Sequence, residues 1–127
     1  MLRSPPLLAT LAALMGAAGV ALAAASAHGE GNELGKTAAL FLMLQGASLI
    51  GVSALGAGAP ALAPRLTLAG LALGAATILF SADLAARAFW QARLFPFAAP
   101  IGGTAMIVAW LAIALICAHA AWRAPPR

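Results

Sequence analysis

Four apolar segments, each close to the length that crosses a bilayer, constrain this chain more than any other feature. They contain no Asp, Glu, Lys or Arg, and they lie at about residues 7–27, 37–58, 66–82 and 101–121. A helix needs about 20 apolar residues to span the hydrocarbon core. In lipid each backbone N–H and C=O must be paired internally, and a helix achieves this within one segment. The sequence therefore predicts an all-α membrane protein with four transmembrane helices in one antiparallel bundle.

Composition supports a single membrane domain over residues 1–127. Of the chain, 64% is hydrophobic and 8% is charged, whereas soluble domains carry about 25% charged residues. The net charge of +4 raises the question of nucleic-acid binding, but the basic residues are scattered singly along the chain, and a binding face needs them clustered. We therefore expect the lipid bilayer as the surroundings and no nucleic-acid partner. The single Cys117 excludes an intrachain disulfide.

The first apolar segment admits two interpretations. Arg3, a long apolar run and Ala25-Ser26-Ala27 ahead of a polar stretch also describe a signal peptide with an A-x-A cleavage site. The uncharged run is, however, longer than the roughly 7–15 apolar residues of most signal peptides. We expect the segment to be retained as the first membrane helix, with a cleaved signal peptide as the alternative.

Basic residues near the segment ends predict the orientation. With four spans, both termini lie on one side, together with the turn between the second and third helices. That side carries Arg3, Arg65, Arg123 and Arg127, and the other carries Lys36, Arg87 and Arg93. Cytoplasmic loops carry the excess of Lys and Arg. Four basic residues on the side of the termini against three on the other side therefore favour both termini in the cytoplasm.

Small residues at four-residue spacing predict where the helices pack. Such faces let helix backbones approach closely and gain van der Waals contact in lipid. The candidates are Ala13/Ala17/Ala21/Ala25, Ala47/Gly51 and Gly70/Gly74. The Gly70/Gly74 pair is the strongest of the three, because glycine is costly elsewhere in a helix. Gly102-Gly103, by contrast, follows Pro100 at a predicted helix start and is interpreted as a tight turn.

Short motifs near the predicted helix ends occur in a defined order. They are Val20–Gly29 (VALAAASAHG), Leu79-Phe80-Ser81, Pro100-Ile101-Gly102-Gly103 and Ala109-Trp110. Together they resemble a family of small membrane proteins catalogued as domain of unknown function 423, which includes the eukaryotic transmembrane protein 256. The resemblance implies a four-helix bacterial inner-membrane protein that retains its first helix, and it supplies no activity. Family members usually carry Tyr-His where this chain has Leu44-Gln45, and Gly-Ser where it has Ala82-Asp83.

A few polar residues in or beside the apolar segments are candidates for a weak ligand site, namely Gln45, Thr77, Ser81, Asp83 and His28. A rise of 1.5 Å per residue places Gln45 and Thr77 at similar depths below the outer interface, with Ser81 one turn above Thr77. An amide facing lipid would leave its donors unpaired, so we expect Gln45 to point into the bundle and to hydrogen-bond toward helix three. Ser26, Thr104 and Asp83 are expected nearer the outer mouth. These bonds are either structural or part of a small outward-opening polar pocket.

Asp83 and His28 each have a structural and a functional interpretation. Arg87 follows Asp83 by four residues on the same helical face, which predicts an interfacial ion pair; a proton or cation site is the alternative. His28 is expected to be a hydrogen-bonded helix cap or, alternatively, a ligand contact at the outer mouth. His28 and His119 lie on opposite sides of the bilayer, about 30 Å apart. We therefore expect no shared metal site and no cofactor.

The residues predict no reaction. Paired carboxylates, a Ser/His/Asp set and a phosphate-binding glycine loop with a lysine are missing from the sequence. The aromatic residues around Arg93 are interpreted as a belt at headgroup depth, formed by Phe89, Trp90, Phe95 and Phe97. We therefore expect a structural or interaction protein, either an accessory subunit of a membrane complex or a homo-oligomer. The alternative is a small transporter or ligand-binding membrane protein, and an enzyme is not expected.

Overall fold

Four α-helices form the chain in the computed structural model, which describes residues 4–29 and 32–126. Their bounds are α1 Ser4–Ser26, α2 Glu33–Gly58, α3 Ala63–Trp90 and α4 Ala98–Arg123. Short connections join them, so consecutive helices run antiparallel, and all four are long and apolar enough to cross a membrane. The predicted all-α bundle is confirmed, and the chain is a multi-pass membrane protein. Arg3 and Arg127, which enter the orientation argument, lie outside the described residues.

Local backbone chemistry sets the ends of α3 and the start of α4. Pro64 lies in the first turn of α3, where its fixed φ and missing N–H are tolerated. The helix then continues past the predicted apolar segment to Trp90 and stops where Gln91 takes a left-handed conformation (φ 54°). Phe97, directly before α4, is also left-handed (φ 67°). Two non-glycine left-handed residues thus bound the α3–α4 loop, residues 91–97, at a cost of about 1–2 kcal/mol each.

α3 lies at the centre of the bundle. It packs against α1, α2 and α4, and α1 also packs along α2. Within the described residues, α4 packs its backbone against α3 alone. The core is closed by fully buried leucines, namely Leu8, Leu49, Leu66 and Leu73. Large exposed side chains such as Leu14 and Leu115 cover the outer surfaces of α1 and α4, as lipid-facing surfaces require.

The small-residue faces of α1 and α2 point outward, so that part of the packing prediction is wrong. On α1 the exposed set is Ala13, Ala17, Ala21 and Ala25. A Cβ built on Gly51 of α2 would meet nothing within 4 Å. α1 is buried instead through a stripe that contains Leu8 and Met15. Alanine loses little on a lipid-facing surface, whereas larger side chains gain more dispersion contact inside the bundle.

Gly70 and Gly74 are both buried, as predicted, although neighbouring side chains rather than backbones cover them. A Cβ on Gly70 would lie 2.7 Å from Leu8 Cδ2, and a Cβ on Gly74 would lie 2.8 Å from Leu11 Cδ2. The two glycines therefore form a hollow on α3 that leucines of α1 fill.

At two other described glycines, a backbone atom of the facing helix would lie within 3.0 Å of an added Cβ. A Cβ on Gly46 would lie 2.9 Å from the Ala12 carbonyl oxygen, and a Cβ on Gly102 would lie 2.8 Å from the Phe80 nitrogen. Gly46 therefore permits the close approach of α1 to α2, and Gly102 permits that of α4 to α3. The interpretation of Gly102 as a turn residue is wrong, since it lies inside α4.

Candidate functional site

The predicted polar residues occupy three different environments. Thr77, Ser81 and Asp83 are buried in α3, and Gln45 is half-buried in α2. His28 is exposed in the connection between α1 and α2. Two of these buried residues, Ser81 and Asp83, lie in the last three turns of α3, close to the α3–α4 loop. Each polar side chain therefore has to be considered with its own partner.

Thr77 and Ser81 follow Gly70 and Gly74 along one face of α3. Spacings of three and four residues place all four on the side that packs against α1 and α2. Thr77 Oγ1 turns back and donates to the Leu73 carbonyl of its own helix at 2.8 Å. Ser81 Oγ donates across the interface to the Ala38 carbonyl of α2 at 3.1 Å. Ser81 therefore joins α3 to α2, whereas the Thr77 hydroxyl bonds within its own helix.

Asp83 anchors the α3–α4 loop. Its side chain is 1% exposed, and Oδ1 accepts a hydrogen bond from the backbone N–H of Leu94 at 2.9 Å. Leu94 lies in the loop between two helices, so its N–H has no helical acceptor four residues earlier in the chain. A side-chain acceptor supplies the partner that this backbone group needs. The bond holds a loop with left-handed residues at both ends against the end of α3.

The ion pair predicted between Asp83 and Arg87 does not form. Among residues 4–29 and 32–126, the one ion pair joins Lys36 Nζ and Glu33 Oε1 at 2.8 Å. The prediction is wrong because the α3–α4 loop folds back over α3 and brings a backbone donor to the Asp83 carboxylate. Sequence spacing along one helix contains no information about such a loop.

Gln45 is paired with α4, not with α3 as predicted. Its Oε1 accepts a hydrogen bond from Trp110 Nε1 at 3.2 Å. The two helix backbones do not pack in the described part of the chain, so the long indole reaches α2 from α4. A buried or lipid-facing indole N–H needs an acceptor. The sequence analysis uses Trp110 only as part of a motif, although an indole in the middle of an apolar span indicates a polar partner.

Ser26 contributes a buried hydroxyl at the end of α1. Its side chain is 0% exposed, and within the described residues Oγ has no hydrogen-bond partner. Gly35 of α2 lies directly over it, and a Cβ at Gly35 would collide with the Ser26 hydroxyl. Thr104 lies in the second turn of α4, at the predicted end of the bundle, but its side chain is exposed and lines a different surface. Among the residues described, no group of three or more His, Cys, Asp or Glu is placed to hold a metal.

A large concave surface lies between α3 and α4, away from these residues. This α3–α4 groove has a volume of about 1110 Å³, and its walls are almost wholly apolar. Arg65 and Ala72 line it on α3, Thr104 and Ile116 are among its residues on α4, and Phe97 lines it directly before α4. The four aromatic residues predicted to form an interfacial belt are all exposed at the end of the bundle where α3 ends and α4 begins, namely Phe89, Trp90, Phe95 and Phe97.

One family model matches the chain. It is described as a protein of unknown function (DUF423) and matches residues 9–103. The matched range runs from α1 through α3 into the first turns of α4, so it includes Gln45 and Asp83 and ends before Trp110. No curated protein and no solved structure matches the chain significantly.

Proposed function

The chain belongs to the DUF423 family of proteins of unknown function, and we propose that it acts as a structural or interaction protein of the membrane. In this proposal it is an accessory subunit of a membrane complex or a homo-oligomer. No catalytic role is proposed, because the polar side chains described in the spans form no acid–base or nucleophile–base pair.

The proposal rests on the hydrogen bonds that the polar side chains form within the chain. Gln45, Ser81 and Asp83 each bond to a different segment of this chain, at 3.2, 3.1 and 2.9 Å respectively. These bonds join α2 to α4, α3 to α2, and α3 to the α3–α4 loop. Each bond is made within the chain, so at least one polar atom of each side chain holds its segments together. The arrangement is typical of a structural bundle.

We propose the bacterial inner membrane as the location, with both termini in the cytoplasm. Arg65 and Arg123 lie at the end of the bundle that carries the termini, and Lys36, Arg87 and Arg93 lie at the other end. With Arg3 and Arg127 from the sequence, the terminal end has the excess of basic residues that marks the cytoplasmic side.

Purification from native membranes in a mild detergent tests the proposed role. We expect the chain to elute with a second membrane protein in fixed stoichiometry, or as a defined homo-oligomer. The same preparation in a harsh detergent, which separates subunits, is the control. A monomeric chain in the mild detergent, with or without a bound small molecule, contradicts the proposal.

The buried Ser26 hydroxyl supports a second candidate, a ligand-binding membrane protein with an outward-facing polar pocket. A buried hydroxyl without a partner costs free energy unless something binds it. In a purely structural bundle, Ser26→Ala should leave the melting temperature unchanged or raise it. Loss of a co-purifying small molecule in Ser26→Ala would favour the pocket. Ser48→Ala is the matched control, because the Ser48 hydroxyl bonds to its own helix at the Leu44 carbonyl.

A further inference from the structure

The α3–α4 groove runs along most of α4 and ends about two turns before the end of that helix. Its α4 wall extends from Phe97 to Ile116, and its α3 wall is formed by the first turns of α3, from Arg65 to Ala72. At 1.5 Å per residue, the α4 wall is about 28 Å long, close to the thickness of the hydrocarbon core. The groove is therefore parallel to the acyl chains of the surrounding bilayer.

One end of this apolar groove carries a positive charge. Arg65 lies in the first turn of α3, next to the last turns of the antiparallel α4. Its side chain is exposed. The two acids of the described chain are far away, since Glu33 begins α2 and Asp83 lies near the other end of α3. At this interface Arg65 therefore meets no acid among the residues described.

We infer that the α3–α4 groove binds an anionic phospholipid, with its phosphate at Arg65 and one acyl chain along the groove. Guanidinium groups bind phosphate oxygens through charge-assisted hydrogen bonds. Basic pockets between transmembrane helices bind the headgroups of anionic lipids in the same way. The almost wholly apolar walls match the acyl chain, and Arg65 matches the phosphate.

The length of the groove near Arg65 matches the thickness of one leaflet of the bilayer. From the level of Ile116, the α4 wall rises about 16 Å to Ala105, which is close to half of the roughly 30 Å hydrocarbon core. Ala72 lies about 10 Å from Arg65 along α3, beside the middle of such an acyl chain. The alanines at positions 72 and 105 leave room in the groove that larger residues would fill.

Charge argues against a second copy of this chain in the groove. A copy inserted in the same orientation presents its own Arg65 and Arg123 at this level of the membrane, and like charges repel. Of its acids, the two described ones, Glu33 and Asp83, lie at the opposite interface. An anionic lipid supplies the negative charge at the correct depth, and a second copy does not.

Native mass spectrometry of the purified full chain tests the inference. The protein in mild detergent is mixed with equal amounts of phosphatidylglycerol and phosphatidylcholine of identical acyl chains. We expect preferential retention of phosphatidylglycerol, and Arg65→Gln should lower it about fivefold, the factor expected from one basic residue at a membrane surface. Arg65→Lys, which keeps the charge, should retain most of the preference. Arg123→Gln is the matched control, because Arg123 lies at the same interface outside the groove.

A second pair of variants tests the acyl-chain contact independently of charge. Ala72→Phe should fill the groove and reduce retention of both lipids. Ala114→Phe places the same ring on an exposed position of α4 outside the groove and should leave retention unchanged. Circular dichroism of each variant checks that the helices are intact.

Three results would overturn the inference. The first is equal retention of the two lipids, and the second is a loss in Arg123→Gln as large as that in Arg65→Gln. The third is a dimer that Ala72→Phe dissociates while lipid retention stays constant, which would assign the groove to a second copy.

Discussion

The backbone N–H of Leu94 donates a hydrogen bond of 2.9 Å to Oδ1 of Asp83, and this bond ties the α3–α4 loop to the buried end of α3. The only acid of α3 is thus used as an acceptor for a backbone donor. It does not form the expected pair with Arg87, and its position is set by a loop that connects two helices. The loop in turn sets where α4 begins and how it meets α3.

Replacing Asp83 should therefore affect stability through the loop. Asp83→Leu leaves the Leu94 N–H without its acceptor, and we expect a loss of about 1–3 kcal/mol in the free energy of unfolding. Asp83→Asn keeps an oxygen acceptor and should lose much less. Denaturant titration in detergent measures both values.

Glu33→Gln is the control for removal of a carboxylate charge. Glu33 is exposed and paired with Lys36 on the surface, and such pairs contribute little. An Asp83→Asn variant as unstable as Asp83→Leu would show that the charge itself matters. That result would favour the proton or cation site over the structural bond.

Gly102→Ala should weaken the contact between α3 and α4. An added Cβ would lie 2.8 Å from the Phe80 nitrogen and 2.9 Å from the Ala76 carbonyl oxygen. Backbone atoms cannot rotate away, so α4 has to shift, at a cost of about 1–3 kcal/mol. Thermal melting in detergent measures the loss.

The neighbouring glycine provides the matched control. A Cβ on Gly103 would lie 3.9 Å from the nearest atoms of the Phe80 ring, which is ordinary contact. Gly103→Ala should therefore be neutral, or stabilising by up to about 1 kcal/mol because alanine is the better helix former. Equal melting temperatures for the two alanine variants would contradict the close approach at Gly102.

The sequence predicts the helices well, because length and hydropathy alone decide whether a segment can span a bilayer. It predicts the packing faces less well. α1 is apolar on every side, so its pattern contains no signal that separates the buried stripe with Leu8 from the exposed alanines. Small residues identify the helix faces that can approach another helix closely, but they do not show which of those faces are in contact in the bundle. The close helix contacts at Gly46 and Gly102 depend on the position of the neighbouring backbone, which the sequence alone does not give.

The polar residues show the same limit. Burial of Thr77 and Ser81 could be inferred, since unpaired polar groups are costly in lipid, whereas Asp83 was expected at the interface and is buried. The partners of Ser81 and Asp83 could not be inferred, because they depend on which helix lies alongside and on the path of a loop. The α3–α4 loop brings Leu94 to Asp83, and the position of α4 brings Trp110 to Gln45. Both contacts join residues on different segments of the chain.

Gly70→Leu should disturb the packing of α1 against α3. The new side chain would occupy the space of Leu8, whose Cδ2 lies 2.7 Å from the added Cβ position. Overpacking of this kind costs about 1–3 kcal/mol, and the melting temperature in detergent should fall. Gly51→Leu is the control, since a Cβ there meets nothing within 4 Å. If Gly70→Leu melts like the unmodified chain, Leu8 does not fill the hollow at Gly70.

The orientation can be measured by labelling single cysteines on a Cys117→Ser background. We expect Glu33→Cys to react with a membrane-impermeant maleimide from outside intact cells. Ala124→Cys, at the other end of the bundle, should react only after the membrane is permeabilised. Both positions are exposed. Labelling of Glu33→Cys from the cytoplasmic side alone would reverse the proposed topology, and a mature chain that begins at His28 would show that α1 is a cleaved signal peptide.

The hydrogen bond between Gln45 and Trp110 should contribute modestly to the attachment of α4. Interhelical bonds in membranes contribute about 0.6 kcal/mol on average. Gln45→Leu removes the acceptor and Trp110→Phe removes the donor, and each keeps most of the side-chain volume. We expect the double variant to be less destabilised than the sum of the two single variants, by about 0.6 kcal/mol.

Trp122→Phe is the control for this cycle, because Trp122 is a 92% exposed tryptophan of the same helix. Its effect should add to that of Gln45→Leu without coupling. Full additivity for Trp110→Phe as well would mean that the bond is absent in the membrane and that Gln45 is free for another partner. In that case, loss of a bound small molecule or partner chain in Gln45→Leu at normal stability would identify Gln45 as part of a binding pocket. Coupling without any loss of binding would establish it as a structural contact between α2 and α4.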